Sequence, residues 1–186
     1  MTLRKKTLMI VGATLFILII LLSLMSRLII LRSFVNLEEK YVFQNIRRTQ
    51  AFITENLTNL NRTARDWATW DDTYEFIKDK KDKYIKVNLV DSMFSTLRLN
   101  LIMLMDASGN IVLSKAYDLK SNKAVPVPKG FLSYLSDKEF PLQRNHLNNN
   151  ITGIVLLPEG PLFIAGWPIL KSDEKGPARG TLIFGR

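Results

Sequence analysis

Residues 8–26, LMIVGATLFILIILLSLMS, run without one charged side chain. No other feature constrains the chain as strongly. A helix of that length rises about 28 Å at about 1.5 Å per residue, which matches a bilayer hydrocarbon core of about 30 Å. Arg27 and Arg32 follow, and their long side chains can reach the membrane interface. A cleaved signal peptide has a shorter apolar stretch and a small-x-small site. Here the next residues are Arg-Leu-Ile-Ile-Leu-Arg, so an uncleaved signal anchor is expected. Arg4, Lys5 and Lys6 form a basic start, expected to stay in the cytoplasm. Arg27 and Arg32 oppose that orientation, but a long C-terminal domain crosses largely regardless of its charge. The expected layout is a cytoplasmic start and membrane helix over 1–32, and an extracytoplasmic domain over 33–186. The protein is then single-pass in the cytoplasmic membrane.

The anchor also explains the composition. Mean hydropathy is +0.05 and the hydrophobic share 47%, high for a chain with 23% charged residues. The net charge of +9 is partly local: residues 1–32 hold five of the 26 basic side chains and no acidic one. The remainder carries a surplus of only four, with lysines set among acids as in KDKKDKYIK. That is a solvated face rather than a nucleic-acid footprint, and no nucleic-acid partner is expected. Cysteine is absent and His146 is the one histidine, which excludes thiol nucleophiles, disulfides and cysteine-rich zinc sites. A Ser-His-Asp triad would have to use His146, which sits in the turn-like QRNHLNNN.

Residues 33–65 contain no Gly or Pro and predict one long helix. Val42, Ile46, Thr49, Ile53, Leu57, Leu60, Ala64 and Trp67 recur at spacings of three and four, an amphipathic stripe. The stripe can pack on its own domain or on a second copy, so a homodimer through residues 33–65 is expected. A second helical stretch is predicted through DWATWDDTYEF to about Lys78, then an exposed turn over Asp79–Lys83, and a short helix around Ser92–Arg98 with Asp91 as N-cap. From Leu101 the pattern shifts to strands. LIMLMD, the turn ASGN and IVLSKAY predict a hairpin. SNKAVPVPKG predicts a loop, FLSYLS a short helix and FPLQRNHLNNN a loop. ITGIVLL, PEGP and LFIAGWPIL predict a second hairpin, and RGTLIFG a last strand. The fold class is α+β: a transmembrane helix, a long amphipathic helix, then a five-stranded antiparallel sheet with helices on one side.

The order of these parts resembles the CHASE extracellular sensory domain of class four. The matching residues are D-W-A-x-W-D-D-x-Y-x-F at Asp66, Trp67, Ala68, Trp70, Asp71, Asp72, Tyr74 and Phe76; N-L-x-D-x-x-F-x-x-L-R-L-N-L from Asn88 to Leu101; and D-x-x-G-x-I-V from Asp106 to Val112. The resemblance implies a PAS-like or Cache-like fold and a ligand-sensing module outside the cytoplasmic membrane. Such modules feed histidine kinases or enzymes of cyclic di-GMP metabolism, carry no cofactor and are not enzymes themselves. Family members continue into a second membrane helix and an output domain. The sequence here stops at Arg186, so a truncated product, a fragment or a stand-alone sensor is expected.

The DWATWDDTYEF residues suit two roles. On a continuous helix Trp67, Asp71 and Tyr74 share a face, with Trp70 beside them. An aromatic wall with a carboxylate can hold an amine, and Arg98 offers an alternative contact for a carboxylate. Ligand-binding candidates are therefore Trp67, Trp70, Asp71, Tyr74 and Arg98, for a small molecule of unknown identity. In the other role the aromatics are core and the acids tie neighbouring segments, with Arg98 as a partner. Asp66, Asp71, Asp72 and Asp91 lack EF-hand spacing, so no metal site is expected. No catalytic residue is assigned. A tethered hydrolase working through paired carboxylates, or an interaction domain without ligand, are the rival functions. Asn56, Asn61 and Asn150 begin Asn-x-Thr acceptor patterns, which are common by chance.

Overall fold

The computed structural model describes residues 3–136 and 150–186, and side chains outside 28–39. His146 and nearly all of FPLQRNHLNNN therefore lie outside the described residues. The chain divides into two compact units, Met1–Phe52 and Ile53–Arg186.

One helix, α1, spans Leu3–Ala68. Within the first unit it carries the apolar stretch Leu3–Arg27, long and apolar enough to cross a membrane. Val42 and Ile46 of the amphipathic stripe are exposed. In the second unit the stripe is covered: Leu60, Ala64 and Trp67 are buried and Ile53 and Leu57 half-buried. The helix ends at Ala68; the hydroxyl of Thr69, just after it, turns back to the Arg65 carbonyl (3.1 Å), and Trp70 is extended at φ −80°, ψ 136°. A new helix, α2 (Asp71–Asp79), then opens with two acids in its first turn, where carboxylates favour the positive end of the helix dipole. DWATWDDTYEF is thus two helix ends and a bend, not one helix. Two short helices follow, α3 (Asp82–Asn88) and α4 (Asp91–Leu97). The expected exposed turn over Asp79–Lys83 is shorter than predicted, because α3 begins at Asp82. Asp91 is not the N-cap of α4: extended Val90 holds that position, and Asp91 lies in the first turn.

The sheet has six strands: β1 (Leu101–Asp106), β2 (Ile111–Asp118), β3 (Lys123–Val125), β4 (Ile151–Leu157), β5 (Gly160–Pro168) and β6 (Gly180–Gly185). Their order is β3-β2-β1-β6-β5-β4, every pair antiparallel. One strand more than the five expected appears because β3 falls inside the predicted SNKAVPVPKG loop. Three exposed residues at a sheet edge carry no apolar alternation to read. The two hairpins and the last strand form as predicted, and β6 inserts between them.

Both faces of the sheet are covered. Ile102 and Leu104 of β1, with Leu182 and Phe184 of β6, pack against α1–α4. Leu101, Met103, Met105 and Ile183 pack against Phe131 and Leu135 of α5 (Lys129–Ser136). Helices on one side only were expected; α5 supplies the second layer. Double coverage explains why LIMLM is apolar at every position rather than at alternate ones.

Candidate functional site

The bend after α1 brings four of the five candidate residues together. Trp67, 8% exposed, stacks on Trp70 with ring centroids 4.6 Å apart, and its other contact is edge-on to Phe184 of β6 at 5.7 Å. Trp70 stands at the rim, 39% exposed. Immediately beside the pair, the Leu170 N–H donates to the Ala68 carbonyl (3.0 Å). The Asp71 carboxylate accepts from the Ser172 N–H and from the Ser172 hydroxyl, both at 3.0 Å. These two donors hold its carboxyl below the usual aspartate value, the backbone N–H first. Asp71 does not pair with Arg98.

Tyr74 is buried, and its ring face is taken. The Arg179 guanidinium lies 3.8 Å from the ring centroid and Lys171 Nζ 5.7 Å. Arg179 also donates to the Tyr74 carbonyl (3.1 Å) and to Glu75 (3.0 Å). Arg65 of α1 reaches Glu174 at 2.7 Å. The cation–π contact that the sequence suggested for a ligand amine is therefore filled by the protein's own arginine. Asp71 and Tyr74 clamp the β5–β6 connection, residues 169–179, onto the α1–α2 bend, and the Trp67–Trp70 stack joins the bend to β6 through Phe184. Arg98 stands apart from them. It is the left-handed C-cap of α4 (φ 53°), its side chain is exposed, and its carbonyl accepts from Arg186 Nε (2.8 Å).

A second group lies on the outer side of α2. Asp72, Glu75 and Asp79 recur at i, i+3 and i+7 and share a helix face. With α3 they border a cleft of about 180 Å³. Phe76 and Tyr84 form its floor, stacked at 4.6 Å and 20°. Below them the Tyr84 hydroxyl meets the fully buried Thr73 hydroxyl at 2.9 Å. Burial pushes the Tyr84 phenol up to about 12, with a smaller push from the Asp72 charge, against the Thr73 hydrogen bond. Sequence reasoning missed this cleft. The spacing of the three acids was visible; what could not be seen was that α3 starts at Asp82 and folds back on α2.

Two asparagines tie α1 to the sheet. Asn61 Oδ1 accepts from Thr152 Oγ1 (2.7 Å) and from Trp167 Nε1 (2.6 Å). Asn56 Oδ1 accepts from Arg186 Nη1 (3.1 Å), whose guanidinium also donates to the Leu97 and Arg98 carbonyls at the end of α4. Of the three Asn-x-Thr patterns, two therefore begin at side chains used in packing α1, and Asn150 is exposed. Among the described residues no three Asp, Glu, His or Cys side chains gather as a metal site.

The sequence profile of the CHASE4 domain matches residues 52–186. The methanogenesis regulatory histidine kinase FilI of Methanothrix harundinacea is 34% identical over all 186 residues, and this chain spans 21% of that kinase's length. Among solved structures, the extracellular domain assigned to the histidine kinase vpHK1S-Z8 is similar with a TM-score of 0.53 at 16% identity, over 78% of this chain and 56% of that one. The sensor domain of E. coli DcuS has a TM-score of 0.44 at 13% identity, over 72% of this chain and 90% of that one.

Proposed function

The chain belongs to the CHASE4 domain family, and on that premise we propose that it is the extracytoplasmic ligand-sensing input of a histidine kinase. The observation that carries this is the coincidence of two boundaries: the family match, 52–186, and the compact unit, Ile53–Arg186. The kinase output follows from the likeness to FilI, and the catalytic work belongs to that output part. Residues 1–32 are the cytoplasmic start and signal anchor, and 33–186 face outward, supported by the apolar stretch Leu3–Arg27 behind a basic start. A homodimer forms through the helix of residues 33–65, supported by the exposed Val42 and Ile46 on its stripe. Ligand binding would bias two arrangements of the paired helices, which requires only that the ligand prefer one of them. The clamp of Trp67, Trp70, Asp71 and Tyr74 holds the sheet to α1 and so acts in relay rather than in ligand contact.

The test is a chimera in which this chain replaces the matching segment of FilI, reconstituted in proteoliposomes. Autophosphorylation is followed while fractions of culture medium are added to the outer face. A fraction that changes the rate in the chimera, but not in a version lacking residues 53–186, is the expected result. Equal behaviour of the two versions in every fraction refutes the input role.

A further inference from the structure

The cleft between α2 and α3 holds charges that the fold does not use. Asp79 is committed to Lys81, through the ammonium at 2.8 Å and the backbone N–H at 3.1 Å. Glu75 is committed to Arg179 at 3.0 Å. Once these pairs are set aside, one carboxylate and one ammonium remain on the lining, Asp72 from α2 and Lys83 from α3. Both are exposed, and neither has a hydrogen-bond or ion-pair partner among the described residues. Beneath them lies the apolar floor of Phe76 and Tyr84, and Val87 is left 64% exposed at the rim.

We propose that this cleft is the sensory pocket and takes a compact zwitterion, its ammonium on Asp72, its carboxylate on Lys83 and its short apolar body over Phe76 and Tyr84. This rests on the sensory role and names its ligand class. At about 180 Å³ the cleft is smaller than the roughly 300 Å³ at which common small-molecule sites begin, which limits the ligand to a few heavy atoms. One exposed ion pair is weak in water. A ligand satisfying both charges at once gains two charge-assisted contacts for a single loss of translational freedom, so a zwitterion outbinds either half. The cleft is continuous with the clamp: Glu75 on its wall holds Arg179, which covers Tyr74. Occupancy can therefore bear on the joint between α1 and the sheet.

The test is calorimetric titration of the full chain in nanodiscs with β-alanine, propylamine and propionate, which share a short chain and differ in charge. β-Alanine is expected to bind at least tenfold more tightly than either singly charged compound. Asp72→Asn and Lys83→Gln are each expected to weaken it at least tenfold while the chain stays folded, because both side chains are exposed and unpaired and Asp72 adds only a small dipole contribution at the start of α2. Propylamine or propionate binding as well as β-alanine overturns the ligand class. β-Alanine failing to bind, or binding unaffected by the two substitutions, overturns the site. A kinase chimera that still responds to a medium fraction then leaves the sensory role standing. A chimera deaf to every fraction, beside a cleft that binds β-alanine, refutes the sensory role and keeps the cleft.

Discussion

The buried pair Thr73–Tyr84 lends itself to a double-mutant cycle. Thr73 is fully buried and Tyr84 nearly so, and their hydroxyls meet at 2.9 Å under the α2–α3 cleft. Thr73→Val removes one hydroxyl and keeps the shape, leaving the Tyr84 hydroxyl buried without a partner. That costs about 1–3 kcal/mol. Tyr84→Phe strands the Thr73 hydroxyl instead. A helical threonine can turn its hydroxyl to a carbonyl one turn back, so about 1 kcal/mol is expected. With both hydroxyls gone nothing is stranded, and the double variant should lose no more than about 1 kcal/mol. The coupling is then about 1 kcal/mol or more, within the range seen for contacting residues. Alkaline pH supplies a second reading. The phenol is raised from 10.0 to about 12 in the folded protein. The unfolded chain therefore loses its proton first, so the folded state binds more protons between those values and stability falls as pH rises. The drop across that window is at most about 2.7 kcal/mol for a two-unit shift. Tyr84→Phe removes it, while contributions common to both proteins cancel in the comparison. The assay is urea denaturation of the full chain in detergent, at neutral pH and across pH 10 to 12. Additive losses in the double variant refute the pairing, and parallel alkaline slopes for Tyr84→Phe and the parent refute the burial that raises the phenol.

Further outcomes separate packing from surface. Trp67→Ala should cost about 3–5 kcal/mol, a large part of the stability of a small domain, while Trp70→Ala at the 39% exposed rim leaves a folded chain by circular dichroism. Asp71 has a lowered carboxyl, so its tie to Ser172 contributes fully above about 3.8 and is lost as pH falls through the lower folded value; Asp71→Asn should flatten that acid limb in a pH-dependent denaturation series. A Cβ at Gly180 would strike the Met105 carbonyl where β6 meets β1, so Gly180→Ala should lower stability by about 1–3 kcal/mol by denaturation. An unchanged midpoint would contradict the close approach of those strands.

Local signals carried a large share of the fold. The charge-free run over 8–26, the Gly- and Pro-free stretch after it and the turns ASGN and PEGP place the long helix and both hairpins, because period and turn chemistry act over a few residues. The misses have the same origin. Nothing local announces a three-residue edge strand at Lys123–Val125, or the bend at Thr69–Trp70, which has no glycine or proline to mark it. Trp67, Asp71 and Tyr74 looked like one helix face because that bend was not visible.

For the candidate site, residue types alone left both pocket and core open. An aromatic face beside an acid suits a cation whichever molecule supplies it. That Arg179, over a hundred residues downstream, covers Tyr74 at 3.8 Å is a product of β6 returning to the middle of the sheet. The same long-range closure pairs Glu75 and leaves Asp72 and Lys83 over. Sequence by itself determined the membrane-length helix, the strand-rich C-terminal half and the family, all written in neighbouring residues. Only tertiary structure decided which charges are spent and which remain, because a charge's partner depends on who arrives across space, and no spacing along the chain encodes that.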